Sequence, residues 1–190
     1  MKKVVKFGGS SLANAAQFKK VGAIIRKDET RRYVVPSAPG KRYAGDTKVT
    51  DLLYKCYKQA ILEDDREEDF EDILKVIKER YDAIISGLEL KVSLDDEFQV
   101  IRENFSKKIG RDYAASRGEY LNGIIMAAYL GYEFIDAAEV IFFNEEGEFD
   151  SERTNEVLAE KLAHIEHAVI PGFYGSNPDG TIHTFSRGGS

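Results

Sequence analysis

Four short stretches of this chain bring glycine, hydroxyl and charged side chains close enough together to handle a small anion or a charged substrate. The first is Lys6-Phe7-Gly8-Gly9-Ser10-Ser11. Two glycines let the backbone approach a phosphate, amides at the start of a following helix can donate to it, and Lys6 adds a cation beside the loop. The spacing is neither the Gly-x-x-x-x-Gly-Lys-Ser/Thr of a Walker A loop nor the Gly-x-Gly-x-x-Gly of a dinucleotide fingerprint. A tight strand-to-helix turn with an exposed lysine would use the same residues.

The second stretch is Ser37-Ala38-Pro39-Gly40 with Thr50 shortly after, which reads equally as a turn followed by a helix carrying Thr50 in its first turns. The third joins Pro171-Gly172-Phe173-Tyr174-Gly175 to Arg187-Gly188-Gly189-Ser190. Arginine can grip a carboxylate with two parallel hydrogen bonds, and the glycines after it leave amides open to an anion, although a flexible tail has the same composition. The fourth is Ser116-Arg117-Gly118-Glu119. Serine followed three residues later by glutamate is a capping box, so local spacing favours a structural role for Glu119 over contact with a substrate.

These loops need elements to hold them. Val4 to Phe7 is β-prone, breaks at Gly8-Gly9, and leads through a capping-type Ser10-Ser11 into a helix from Ala13 to Arg26. The plan repeats with a strand from Tyr33 to Ser37 and a long helix from about Asp46 or Thr47. Between 63 and 110 Gly and Pro nearly vanish, and Phe70, Ile73, Leu74, Ile77, Tyr81, Ile84 and Leu88 fall at helical spacing, followed by Leu94, Phe98, Ile101, Phe105 and Ile109. This region is expected to be an all-helical insert standing against the sheet, with its acidic run Glu63 to Asp72 a solvated helix entry.

An amphipathic helix from Tyr113 to Leu130 closes on Gly131 as C-cap, before a strand at Tyr132 to Ile135. Val140 to Phe143 reads as another strand, Thr154 to His164 as a helix, Ala168 to Ile170 as a strand and Asn177-Pro178-Asp179-Gly180 as a turn. Strands alternating with helices indicate an α/β fold with a mainly parallel sheet. Ligands in such sheets gather beyond the carboxyl ends of the strands, where the loops named above lie.

Composition narrows the partners. The chain has 190 residues, 43% hydrophobic and 32% charged, with a formal net charge of -6. That charge, without a basic stripe, argues against a nucleic-acid partner. Met1 to Phe7 is too charged for a signal segment or a membrane span, and the single Cys56 can form no internal disulfide, so a cytoplasmic address is expected. Apolar neighbours mark Cys56 as a buried, inert thiol. His164, His167 and His183 read as surface or packing residues.

Taken in order, Lys6 to Ser11, Val35 to Lys41 with Thr50-Asp51-Leu52-Leu53, Ser116 to Leu121, Pro171 to Asn177 and Thr184 to Ser190 resemble the amino-acid kinase superfamily and, within it, the aspartate kinase family. The resemblance implies the carbamate kinase-like α/β fold and ATP as co-substrate with Mg2+. It gives Lys6, Gly8, Gly9 and Ser10 to the nucleotide phosphates, with Lys6 catalytic, and Thr50, Glu119, Phe173, Arg187 and Ser190 to L-aspartate. No metal ligand is assigned. The implied reaction moves the ATP γ-phosphoryl group to the aspartate side-chain carboxylate, at the start of lysine, threonine and methionine synthesis. A carboxylate is already an anionic nucleophile, so a site without a general base suits it, and positioning and charge stabilisation are what the protein must supply.

By the same resemblance the chain is the amino-terminal portion of a kinase domain, without the adenine-binding half or regulatory domains, expected to be inactive alone and to come from a homo-oligomeric parent. Pro36 and the loop Arg42 to Asp46 depart from the family pattern and loosen the assignment of Thr50. A sister kinase acting on glutamate, acetylglutamate or a nucleotide, and a non-catalytic binding or assembly fragment, are the alternatives. Glu119 with Arg187 discriminates, because a free amino acid needs partners for both ammonium and carboxylate.

Overall fold

The computed structural model of the chain describes residues 2–62 and 67–186, with side chains from 70 onward in the second stretch. Four parallel strands form the central sheet in the order β1-β2-β4-β3. They are β1 (Lys3–Phe7), β2 (Arg31–Pro36), β3 (Glu133–Phe134) and β4 (Ala168–Val169). The expected α/β class and parallel pairing are both present, and Pro36 is accommodated at the last register position of β2, opposite Phe7.

Alternation in the strands fixes which residues face which layer. Val5, Val34, Val169 and Phe134 face a large core shared with the helices, whereas Tyr33, Ala168, Ile135 and Ile170 face a smaller one closed by Val157, Leu158 and Leu162. Those last three belong to α6 (Ser151–Leu162), whose N-cap Asp150 accepts from Arg153 N at 3.0 Å. Val140 to Phe143, expected as a strand, makes only isolated bridges, Phe142 to Ser176 and Phe143 to Phe149. The segment after Phe173 is ordered as a hairpin of β5 (Tyr174–Ser176) and β6 (Ile182–Thr184), turned at Asn177 to Gly180.

The first helix starts later than Ser10-Ser11 suggests. Gly9–Leu12 form a 3-10 turn, and α1 (Ala15–Arg26) is capped by Asn14, whose side chain accepts from Gln17 N at 3.0 Å. Next come α2 (Val49–Ile61), α3 (Glu67–Gly87), α4 (Asp95–Ser106) and α5 (Arg111–Leu130). The expected stripe of α3 is buried at Phe70, Leu74, Ile77, Tyr81, Ile84 and Leu88, but it packs on α2, α1 and α5 rather than standing against the sheet. Part of the acidic run, residues 63–66, lies outside the described residues. Ile109 follows the end of α4 and is exposed.

Helix α5 ends as expected at Gly131, which takes the left-handed conformation at φ 72°. It is not an amphipathic surface helix. The sheet lies on one side of it and α2 on the other, so Ala114 to Glu119, Leu121 to Gly123 and Ile125 to Ala127 are all buried. Polar groups on such a helix must find partners inside the protein. No helix among the described residues is long and apolar enough to cross a membrane. Cys56 is fully buried, points its thiol at the Phe70 carbonyl and is pushed up to about 12 by burial, as an inert packing thiol would be. His167 stacks on Tyr132 and His183 on Phe143, which makes both packing residues.

Candidate active site

Beyond the carboxyl ends of β1 and β2 the chain turns twice, and the two turns are locked together. Gly40 N donates to Gly9 O at 2.8 Å, and Ser37 N donates to Phe7 O at 3.0 Å. A Cβ on Gly40 would lie 2.6 Å from Gly9 C and 2.7 Å from Ser10 N, and one on Gly9 would lie 2.8 Å from the Ala38 carbonyl oxygen. Both positions need glycine because backbone meets backbone there.

Helix α5 passes beneath the second turn and grips its main chain from one face. Asn122 stands about one turn beyond the adjacent pair Gly118 and Glu119. The Glu119 Oε1 accepts from Ala38 N at 3.1 Å, Asn122 Nδ2 donates to Ser37 O at 2.7 Å, and Gly118 lets the Ala38 methyl approach so closely that a Cβ would meet it at 2.7 Å. Thr50, in the first turn of α2, brings its Oγ1 within 3.7 Å of that same Cβ position.

These elements wall a cavity of about 480 Å³ lined by Gly9, Ser10, Ser37 to Lys41, Lys48, Thr50 and Glu119. The volume is within the ~300–1,000 Å³ typical of small-molecule sites. Its distinctive group is Glu119, which is 7% exposed and whose Oε2 is buried without a hydrogen-bond partner. Burial pushes its carboxyl up to about 7, against the pull of the Ala38 amide and of the Lys6 and Arg117 charges. A buried carboxylate oxygen with no donor is costly, and a cationic group entering the cavity would satisfy it.

The capping-box reading of Ser116 and Glu119 is overturned. Helix α5 begins at Arg111, five residues before Ser116, so neither side chain is at a helix start. Ser116 Oγ instead donates to Tyr113 O at 2.7 Å and receives Arg117 Nε and Nη2, while the Arg117 guanidinium lies over the rings of Tyr113, Tyr120 and Tyr174. A helix start at Arg111 and packing of α5 between the sheet and α2 put Glu119 at the cavity rather than at a helix terminus.

Four of the sequence-assigned residues, Gly9, Ser10, Thr50 and Glu119, are brought to this one cavity. Lys6 is exposed on β1, near enough to act on Glu119 through its charge, and Gly8 caps the 3-10 turn outside the lining. Phe173 is also outside the lining, but it is a bulky residue held at φ 78°. Left-handed backbone at a non-glycine position is strained and is commonly retained at ligand sites. Arg187 and Ser190 lie outside the described residues.

Reading the motifs did not single out Lys41, Lys48 or Asn122 as site residues. Lys41 stands at the end of the second motif, which was the one available signal. The loop Arg42 to Asp46, expected to depart from the family pattern, is closed on itself by Arg42, with Nε and Nη2 on the Asp46 carboxylate at 2.8 and 2.9 Å. Thr50 therefore keeps its place beside Gly118 despite that loop.

Comparison with known proteins identifies the family. The model of the amino acid kinase family matches residues 1–190. Aspartokinase 3 of Bacillus subtilis (strain 168) is 37% identical over 203 residues, covering 99% of this chain and 44% of that protein. The crystal structure of Clostridium acetobutylicum aspartate kinase superimposes with a TM-score of 0.91 at 50% identity, over 100% of this chain and 43% of the other. E. coli aspartokinase III in complex with lysine and aspartate superimposes at 0.79 with 25% identity, over 98% of this chain and 44% of the other. The chain thus spans less than half the length of these relatives. Matched by the family model from residue 1 to residue 190, and superimposing over nearly all of its length on two solved aspartate kinases, the chain belongs to the amino acid kinase family.

Proposed function

We propose that this chain carries the acceptor side of an aspartate kinase site, in which the γ-phosphoryl group of ATP is transferred to the side-chain carboxylate of L-aspartate. The observation that carries the reading is the unpartnered Oε2 of Glu119, buried in a cavity that also presents Thr50 and the Gly9-Ser10 turn. An α-ammonium is the cation that would satisfy it, and likeness to aspartate kinases at 37% and 50% identity supports aspartate as its bearer.

In the reaction a side-chain oxygen of aspartate attacks the γ-phosphorus. A new phosphorus–oxygen bond forms, the bond to the β,γ-bridging oxygen breaks, and ADP leaves with that electron pair. No proton has to be removed from the nucleophile, so Glu119 acts as the ammonium partner rather than as a base. Lys6 neutralises charge on the transferring group, assisted by Gly8, Gly9 and Ser10 amides, and Thr50, Phe173, Arg187 and Ser190 complete the aspartate pocket. Among the described residues no cluster of three or more His, Cys, Asp or Glu side chains could hold a metal ion.

The test is ATP-dependent formation of aspartyl phosphate, trapped as the hydroxamate, by the protein at its natural length. Activity with aspartate that falls by about 100-fold or more in Glu119→Ala is expected, since truncating one partner of a buried charge pair removes several kcal/mol. Undiminished aspartate use by that variant, or preference for acetylglutamate or a nucleotide, would overturn the assignment.

A further inference from the structure

Among the described residues none of helix α3 lines the cavity, yet two adjacent side chains in its middle reach backbone next to it. Arg80 is 5% exposed. Its Nη2 donates to Gly40 O at 2.7 Å, its Nη1 donates to Thr47 O, and the guanidinium stands 3.5 Å from Asp46. Gly40 in turn holds Gly9 through its own amide, and Thr47 lies three residues before Thr50. One guanidinium thereby anchors the turn that is locked to Gly9 and the entry to α2.

Tyr81 is fully buried, and its hydroxyl donates to the Gly118 carbonyl at 2.8 Å. Gly118 immediately precedes Glu119 and abuts both Ala38 and Thr50. The two side chains thus divide the site between them. Arg80 holds the loops above the cavity, and Tyr81 holds the helix that supplies the carboxylate.

We infer that Arg80 and Tyr81 are positioning residues for phosphoryl transfer, setting the placement of the Gly9 to Thr50 loops and of Glu119 respectively. The inference rests on the function proposed above. A role confined to stability accounts poorly for Arg80. Its Nε is buried without a partner, and a buried ion pair contributes little net stability compared with apolar packing. What such a fork of donors supplies is direction, because each acceptor it grips is a loop carbonyl that helix geometry alone would leave free. Chemistry that depends on approach within a few tenths of an ångström is sensitive to that direction.

The experiment compares Arg80→Lys, Arg80→Met and Tyr81→Phe with the unsubstituted natural-length protein. It measures amide hydrogen exchange of the 37–50 segment, KM for aspartate and for ATP, kcat and thermal melting. Arg80→Lys is expected to speed exchange at the Gly40 and Val49 amides by about tenfold, and to raise both KM values by about fivefold. Tyr81→Phe is expected to raise the aspartate KM by about fivefold and leave the ATP KM within about twofold. Lowered melting with unchanged exchange and unchanged KM values would overturn the inference, since that is what a merely structural role produces. Should Arg80→Met fail to fold, the two conservative variants still decide. Absence of aspartate phosphorylation by the unsubstituted protein would overturn the proposed function, and the exchange result alone would then uphold or overturn the positioning.

Discussion

Glu119 and Ala38 are 81 positions apart in the chain and are joined by one hydrogen bond, Ala38 N to Glu119 Oε1 at 3.1 Å. The bond spends one carboxylate oxygen on the turn after β2 and leaves the other buried without a partner, on a residue that lines the cavity. It ties α5 to the turn after β2, so the position of that carboxyl group and the shape of the turn are coupled.

Because burial raises the Glu119 carboxyl from its usual 4.5 to about 7, the group should make both stability and ligand affinity depend on pH. The folded value lies above the unfolded one, so stability associated with the protonated form is complete below about pH 4.5. It is lost as pH rises to about 7, by up to about 3 kcal/mol. An ammonium ligand prefers the ionised form, so aspartate affinity should rise by up to about tenfold per pH unit below 7 and level off above. Urea unfolding and isothermal titration at pH 5.5 and 8 check both signs, and Glu119→Gln should flatten both profiles.

Gly40→Ala should part the two locked turns. The new methyl meets main-chain atoms of Gly9 and Ser10, which cannot rotate away as a side chain would. A cost of about 1–3 kcal/mol in unfolding free energy is expected, together with weaker nucleotide binding. Thermal melting and nucleotide titration of the variant test this, and a normal melt with normal binding would show that the turns separate freely.

Asp46→Asn should leave the Arg80 guanidinium buried against backbone carbonyls with no counter-charge. Loss of a partner from a buried pair costs about 3 kcal/mol, measurable by urea unfolding. The Arg42 hydrogen bonds, with the Arg80 charge adding to them, hold the Asp46 carboxyl well below the ordinary carboxylate range. Its contribution to stability is therefore present above about pH 4 and is lost only as pH falls below that, so the variant's deficit should shrink in acid.

How much of this was legible in the residues varies element by element. The glycines after β1, the Ser37 to Gly40 turn and the Gly131 cap announce themselves locally, since each reflects what a backbone can do at that point. The first helix start was misplaced because Ser10 and Asn14 are both competent caps, and only the tight 3-10 turn decides between them. Arg80 sits among Lys78, Glu79 and Asp82, a pattern that reads as a solvated helix face. Nothing nearby in sequence marks it as the one that turns inward.

From the chain alone came the alternation of strands and helices, the parallel sheet, the order of the motifs and the residue types the cavity would need. The elements and residue types depend on neighbours within a turn or two, and the parallel sheet follows from the alternation of strands and helices. The tertiary structure alone decided that Glu119 is a buried, half-satisfied carboxylate rather than a cap, and that α3 supports the site through Arg80 and Tyr81. The reason is desolvation. Whether a charged side chain is capped, solvated or held in wait depends on which surfaces close over it, and those surfaces come from segments tens of residues away.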